Sequence, residues 1–166
     1  MLRTIIVWLI IFATTTIGYS FKEELLNNRV AANLVPTQGY ISDSNAISFY
    51  RAKDGHFYIK SKINNRSIIF LADTGASDVA MSIKDAKKIG IDIEKLNFSK
   101  IYSTANGEIY VAPVIIPKMQ IGPFILTNVR AGISQGDIGI SLLGMSALER
   151  FAVSLDNTVL TLTYKY

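Results

Sequence analysis

The chain has 166 residues, a formal net charge of +4, no cysteine and a single histidine, His56. That length holds one ordinary domain and a short appendage but not two separate cores. With no cysteine there are no disulfides, thiolate metal sites or thiol nucleophile, and one histidine without a Gly-x-Ser-x-Gly elbow or a His-Glu-x-x-His helix leaves serine-hydrolase and zinc-hydrolase chemistry without their parts. Lysine and arginine are scattered rather than striped among aromatics, so the positive charge reads as a solvated surface and no nucleic-acid partner is expected. What remains is carboxylate, hydroxyl and amine chemistry, with no metal or other cofactor implied.

Residues 1–21, MLRTIIVWLIIFATTTIGYSF, carry Arg3 as their only charge. At a helical rise of about 1.5 Å per residue the segment is just long enough to span a hydrocarbon layer, which predicts an N-terminal transmembrane helix. A secretory signal peptide is the rival reading, although no clear small-x-small cleavage site follows. Arg3 and the terminal amine would hold the front end inside, placing the rest across the membrane. Residues 22–45 turn polar, with Pro, Gly, Asn and Ser and no sustained period, and read as a linker. The folded domain is expected over residues 46–166.

Within it, residues 56–63 alternate and Asn64-Asn65 turns the chain into residues 67–72, a hairpin signal. Ser82 is placed to cap a short helix, with Asp85 at its third position and Gly90 closing it. Asn106-Gly107 reads as the two-residue turn of a second hairpin and Gly122-Pro123 as that of a third. Residues 138–143 run apolar to Gly144, a brief helix follows, and residues 152–155 turn at Asp156-Asn157 into residues 158–164. The strand VLTLTYKY alternates so regularly that it reads as an exposed edge open to another chain. Many short strands with two small helices mean an all-β barrel or sandwich.

The stretch IIFLADTGASDVAMS, residues 68–82, poses the chemical problem. Residues 68–71 read as a strand covered on both faces, and it delivers Asp73 where solvation is expected to be poor. A carboxylate there must be paired, hydrogen-bonded or share a proton. The bland alternative is a turn aspartate that satisfies nearby amides.

FLADTGASDVAMS resembles the active-site signature of aspartic proteases, in which an apolar strand delivers Asp-Thr/Ser-Gly-Ala/Ser. LLGMSALERF is similar to that family's second hydrophobic-hydrophobic-Gly element with its following helix, and TANGEIYVAPVII resembles its flap hairpin. Order and spacing, over residues 46–164, resemble the bacterial, membrane-anchored branch of the retropepsin-like proteases. The resemblance implies a closed all-β barrel with one or two short helices. It makes Asp73 the catalytic carboxylate, with Thr74, Gly75, Ala76 and Ser77 completing the active-site loop. Leu142, Leu143 and Gly144 would support that loop, and Ala105, Asn106, Gly107 and Glu108 would form the flap. Ser77-Asp78 departs from the Asp-Asp pair of the viral enzymes.

Only one Asp-Thr-Gly is present, and one carboxylate cannot serve as both base and acid, so the resemblance implies a homodimer with Asp73 facing its own copy. Two charges about 3 Å apart repel by about 5 kcal/mol at an effective dielectric near 20, so the pair is expected to share one proton. The shared proton is the general behaviour of aspartic proteases, and only its assignment to Asp73 is specific to this chain. The expected activity is endoproteolysis of an extended peptide, on the periplasmic side of the cell inner membrane. Two rivals stand beside it: a catalytically silent barrel that binds or assembles, and an envelope β-module in which the motif is coincidental.

Overall fold

The computed structural model describes residues 2–20, 35–104 and 107–165. Helix α1, Leu2–Ser20, comes first. Its large apolar residues from Ile6 to Phe12 are all exposed. Thr14, Thr15 and Thr16 turn their hydroxyls back to the helix's own carbonyls at Ile10, Ile11 and Phe12. Among the described residues no helix is long and apolar enough to cross a membrane, so the expected transmembrane helix is not found there.

Strands β1 (Tyr40–Asp43) and β2 (Ala46–Tyr50) follow. β1 falls within the stretch expected to be linker; residues 22–34 of that stretch lie outside the described residues. The strand was hidden because its polar residues face water while Tyr40 alone is buried, its ring 5.2 Å from that of Tyr50. Next come β3 (Tyr58–Ile63) and β4 (Arg66–Ala72), joined by Asn64 and Asn65 at φ 48° and 61°. Paired left-handed residues are what a two-residue hairpin needs, and asparagine tolerates them best after glycine. β4 corrects the expectation of a doubly covered strand. Ile68 and Phe70 are buried, but Ile69 is 43% exposed, because alternate residues of a barrel wall point outward.

β5 (Val79–Met81) leads into α2 (Ile83–Lys88), whose Asp85 amide donates to the Ser82 side chain as expected. A short 3₁₀ turn, Ile93–Lys95, precedes β6 (Lys100–Thr104) and the long β7 (Gly107–Ile121). β8 (Phe124–Ser134), β9 (Ser141–Leu143), α3 (Met145–Leu148), β10 (Phe151–Leu155) and β11 (Val159–Tyr164) complete the chain order.

The strands form two sheets. In the larger, the order is β3-β4-β9-β5-β8-β7-β6, and β3 also pairs with β7 through Ser61↔Ile121 and Ile63↔Met119. That extra pairing closes six strands into a ring, leaving β6 to hydrogen-bond β7 alone among the described strands. Ile59, Phe70, Met81, Met119 and Ile133 fill the ring, each fully buried. Every such side chain contributes about 1.5–3 kcal/mol relative to exposure, which is why a chain without disulfides can hold this shape.

The smaller sheet has the order β1-β2-β11-β10. Phe49, Leu160, Leu162 and Phe151 belong to one continuous core with the ring. Here the structure overturns a second expectation. β11 is not an edge: it pairs with β10 on one side and β2 on the other, with Leu162 opposite both Val153 and Ile47. Among the described strands the edge on that side is β10, where residues 152–155 are exposed.

Candidate active site

Asp73 leaves β4 at the point where that strand runs parallel to β9, with Ala72 opposite Leu143. Its amide donates to the Leu143 carbonyl at 3.1 Å, and its Oδ1 accepts the Gly75 amide at 2.8 Å. The first bond fixes the main chain and the second aims the carboxylate. In one chain Asp73 is half-buried, while Thr74 and Gly75 are exposed. The poor solvation expected from the sequence is therefore not supplied by a single copy, because the loop stands at the open rim of the ring.

The remainder of the loop is clamped from the other side. Met145 donates its amide to the Ala76 carbonyl at 2.8 Å, and Ser146 donates its amide to the Ser77 carbonyl at 2.9 Å. The Ser146 hydroxyl accepts from the Val79 amide at 3.0 Å and donates to the Arg130 carbonyl at 2.6 Å. Gly144 is obligatory here. A Cβ on it would lie 2.7 Å from the Ala76 carbonyl oxygen and closer still to that of Asp78, and backbone cannot yield as a flexible side chain can. The support expected of Leu142, Leu143 and Gly144 thus divides into pairing by Leu142 and Leu143 and close approach by Gly144.

The four expected flap residues fare unequally. Ala105 and Asn106 lie outside the described residues. Gly107 opens β7 opposite Thr104, and Glu108 lies opposite Ser103. Gly107, expected in the turn, is the first residue of β7, at φ 111°. That conformation is open to glycine and strained for other residues.

Sequence reasoning missed a polar cluster beside the loop. Asp78 Oδ1 accepts from Arg130 Nε at 3.1 Å, and Asp78 Oδ2 accepts from the Tyr102 hydroxyl at 3.0 Å. Arg130 Nη2 also lies 3.8 Å from Glu149 Oε1. Burial and then the bond to Asp78 raise the Tyr102 hydroxyl above the ordinary tyrosine range, so it remains a donor at neutral pH. Ser146 was missed as well; its one available signal was a lone hydroxyl amid an apolar run. Among the described residues no group of three or more His, Asp or Glu side chains is placed to hold a metal ion.

A family model described as "gag-polyprotein putative aspartyl protease" matches residues 59–150. The chain is 41% identical over 160 residues to an uncharacterised protein of Rickettsia prowazekii, covering 95% of this chain and 69% of that protein. It is 36% identical over 154 residues to an uncharacterised protein from the cobV 5′ region of a Sinorhizobium species, covering 89% of this chain and 66% of that one. The chain thus spans about two thirds of the length of these relatives. The crystal structure of a retropepsin-like aspartic protease from Rickettsia conorii is 45% identical, covers 72% of this chain and 90% of its own, and superposes with a TM-score of 0.67. With that match over more than half its length, and an Asp-Thr-Gly loop held against a hydrophobic-hydrophobic-Gly strand, the chain belongs to the retropepsin-like aspartic protease family.

Proposed function

We propose that the chain is an aspartic endopeptidase that acts as a homodimer, each copy contributing Asp73. The observation that carries this reading is the loop itself, a carboxylate aimed by its own Gly75 amide and anchored to Leu143 while still reachable from outside. One Asp73 accepts a proton from water, the water oxygen attacks the peptide carbonyl, and the protonated partner carboxyl donates to the carbonyl oxygen. The proton then passes to the leaving amine as the carbon–nitrogen bond breaks, with no covalent intermediate.

The dimer reading draws support from the exposure of Thr74 and Gly75 and from β10, which pairs with β11 alone among the described strands. Val153 and Leu155 on that outer strand are 40% and 60% exposed, and an edge bearing apolar side chains favours another strand. α3, which precedes this edge in the chain, is bonded to the catalytic loop at Ala76 and Ser77. β10 replaces β11, whose two neighbours already use its main-chain groups. The described ends of the β6–β7 hairpin, Gly107 and Glu108 among them, are proposed to lie along the bound peptide.

Attachment to the inner membrane through α1, with the barrel on the periplasmic side, belongs to the same proposal. Its support is the row of exposed apolar residues and the threonine hydroxyls that need no water. Confining both copies to one surface raises their effective concentration and offsets a weak dimer constant.

The test is full-length protein in detergent, incubated with an unfolded protein substrate between about pH 4 and about pH 7, beside Asp73→Asn. Wild type should cut, and the variant should lose about 10²–10⁴-fold or more of the rate while keeping its fold. Equal cutting by both forms, or none by a demonstrably dimeric wild type, contradicts the reading.

A further inference from the structure

We infer that Tyr102 and Asp78 are positioning residues that fix the β6–β7 hairpin against the Asp73 loop, with Arg130 holding the Asp78 carboxylate in place for the Tyr102 hydroxyl. The inference deepens the protease reading, because it concerns how the same site receives its peptide.

β7 begins to pair with β8 only at Val111, opposite Ser134, with one more bond from the Gln135 amide to the Tyr110 carbonyl. Beyond that point residues 102–104 and 107–109 pair with each other and with no other described strand. Tyr102 lies in this projecting part, opposite Ile109. Its hydroxyl reaches out of the hairpin to residue 78, five positions after the catalytic carboxylate.

The acceptor is well prepared. Asp78 is only 18% exposed at its side chain, and its two oxygens are divided between two donors, one charged and one neutral. Its backbone cannot drift, because its carbonyl packs on Gly144 in the clamp described above. Arg130 is held by its carbonyl as well as its guanidinium, through the Ser146 hydroxyl. A hairpin tied to Asp78 is thereby referred to the same rigid frame as Asp73.

The contact is poorly suited to a purely stabilising role. The Arg130 side chain is 60% exposed, and ion pairs of that exposure add little to folding. A phenol bonded to a carboxylate is directional and removable by one atom, which suits placement of a strand. It acts where the hairpin leaves its support.

The experiment is a double-mutant cycle on the full chain with Tyr102→Phe, Asp78→Asn, Asp78→Ala and Tyr102→Phe/Asp78→Ala. It reads kcat and KM on a peptide long enough to run under the hairpin, thermal midpoint, and amide exchange in β6 and the start of β7. Tyr102→Phe should raise KM about tenfold with kcat within about twofold, the size expected for a hydrogen bond to a charged group. Its midpoint should stay near wild type, and amides at 101–103 and 107–109 should exchange faster. Asp78→Asn, which keeps an acceptor, should fall between wild type and Asp78→Ala. The double variant should be no worse than Asp78→Ala alone, since both remove one contact. Wild-type kinetics and exchange in Tyr102→Phe, or additive losses in the double variant, would overturn the inference. A wild type that cuts nothing would remove the protease reading, yet the exchange arm of the cycle would still decide whether Tyr102 and Asp78 tie the hairpin down.

Discussion

The Asp73 loop and the outer part of the β6–β7 hairpin are linked through the Tyr102–Asp78 bond, and they are held in opposite ways. The loop is fastened by main-chain bonds from Asp73, Met145 and Ser146, by the Ser146 hydroxyl, and by a glycine packed against carbonyls. Beyond Val111 the described residues of the hairpin keep their own ladder, a bond from the Gln135 amide to the Tyr110 carbonyl, and the side-chain bond from Tyr102 to Asp78. A site that must hold a carboxylate still while admitting an extended chain needs both kinds of construction. Stability is invested in the loop, and adjustability is left to the hairpin.

Damage to the loop should therefore be costly out of proportion to the atoms changed. Gly144→Ala adds one methyl group against the Ala76 and Asp78 carbonyls, and is expected to cost about 3 kcal/mol and to abolish activity, as measured by urea unfolding and turnover. Ser146→Ala strands the Val79 amide and the Arg130 carbonyl, and should cost about 2–3 kcal/mol in the same assay. If either variant proves as stable as wild type, the loop is not the rigid partner in this comparison.

The smallest effect is set in a turn remote from both regions. The Thr158 amide and then the Val159 amide hold the Asp156 carboxyl below its ordinary range. A depressed folded value means stability that is present above the unfolded carboxylate value and is lost as pH falls through the folded one. Wild type should exceed Asp156→Ala in thermal midpoint at neutral pH, and the gap should close in acid. A gap that widens in acid would reverse the assignment.

Features that depend on near neighbours were legible in the sequence, as in the Asn64-Asn65 turn and the Ser82 cap, whereas the Asp73 loop and its Gly144 counterpart were legible through the family resemblance. Those that depend on distant pairing were not. β11 looked like an edge because its alternation says nothing of β2, whose Ser48 bonds Thr161 across 113 positions. Ile69 looked covered because hydrophobicity does not reveal which side of a barrel wall a residue occupies. The Asp78 cluster joins residues 24 and 52 positions apart, and none of them stands out alone in the chain. The poor solvation expected for Asp73 is not supplied by one copy, which leaves it half-buried.

The central claim, that two copies of residue 73 make one site, is tested most directly by mixing subunits. Wild-type and Asp73→Asn chains are combined in equal amounts, allowed to exchange partners, and assayed against an all-wild-type sample of the same total chain concentration. If both carboxylates are required, only wild-type pairs cut and about one quarter of the activity remains. Retention of about one half would mean that each chain works alone, and would contradict the account.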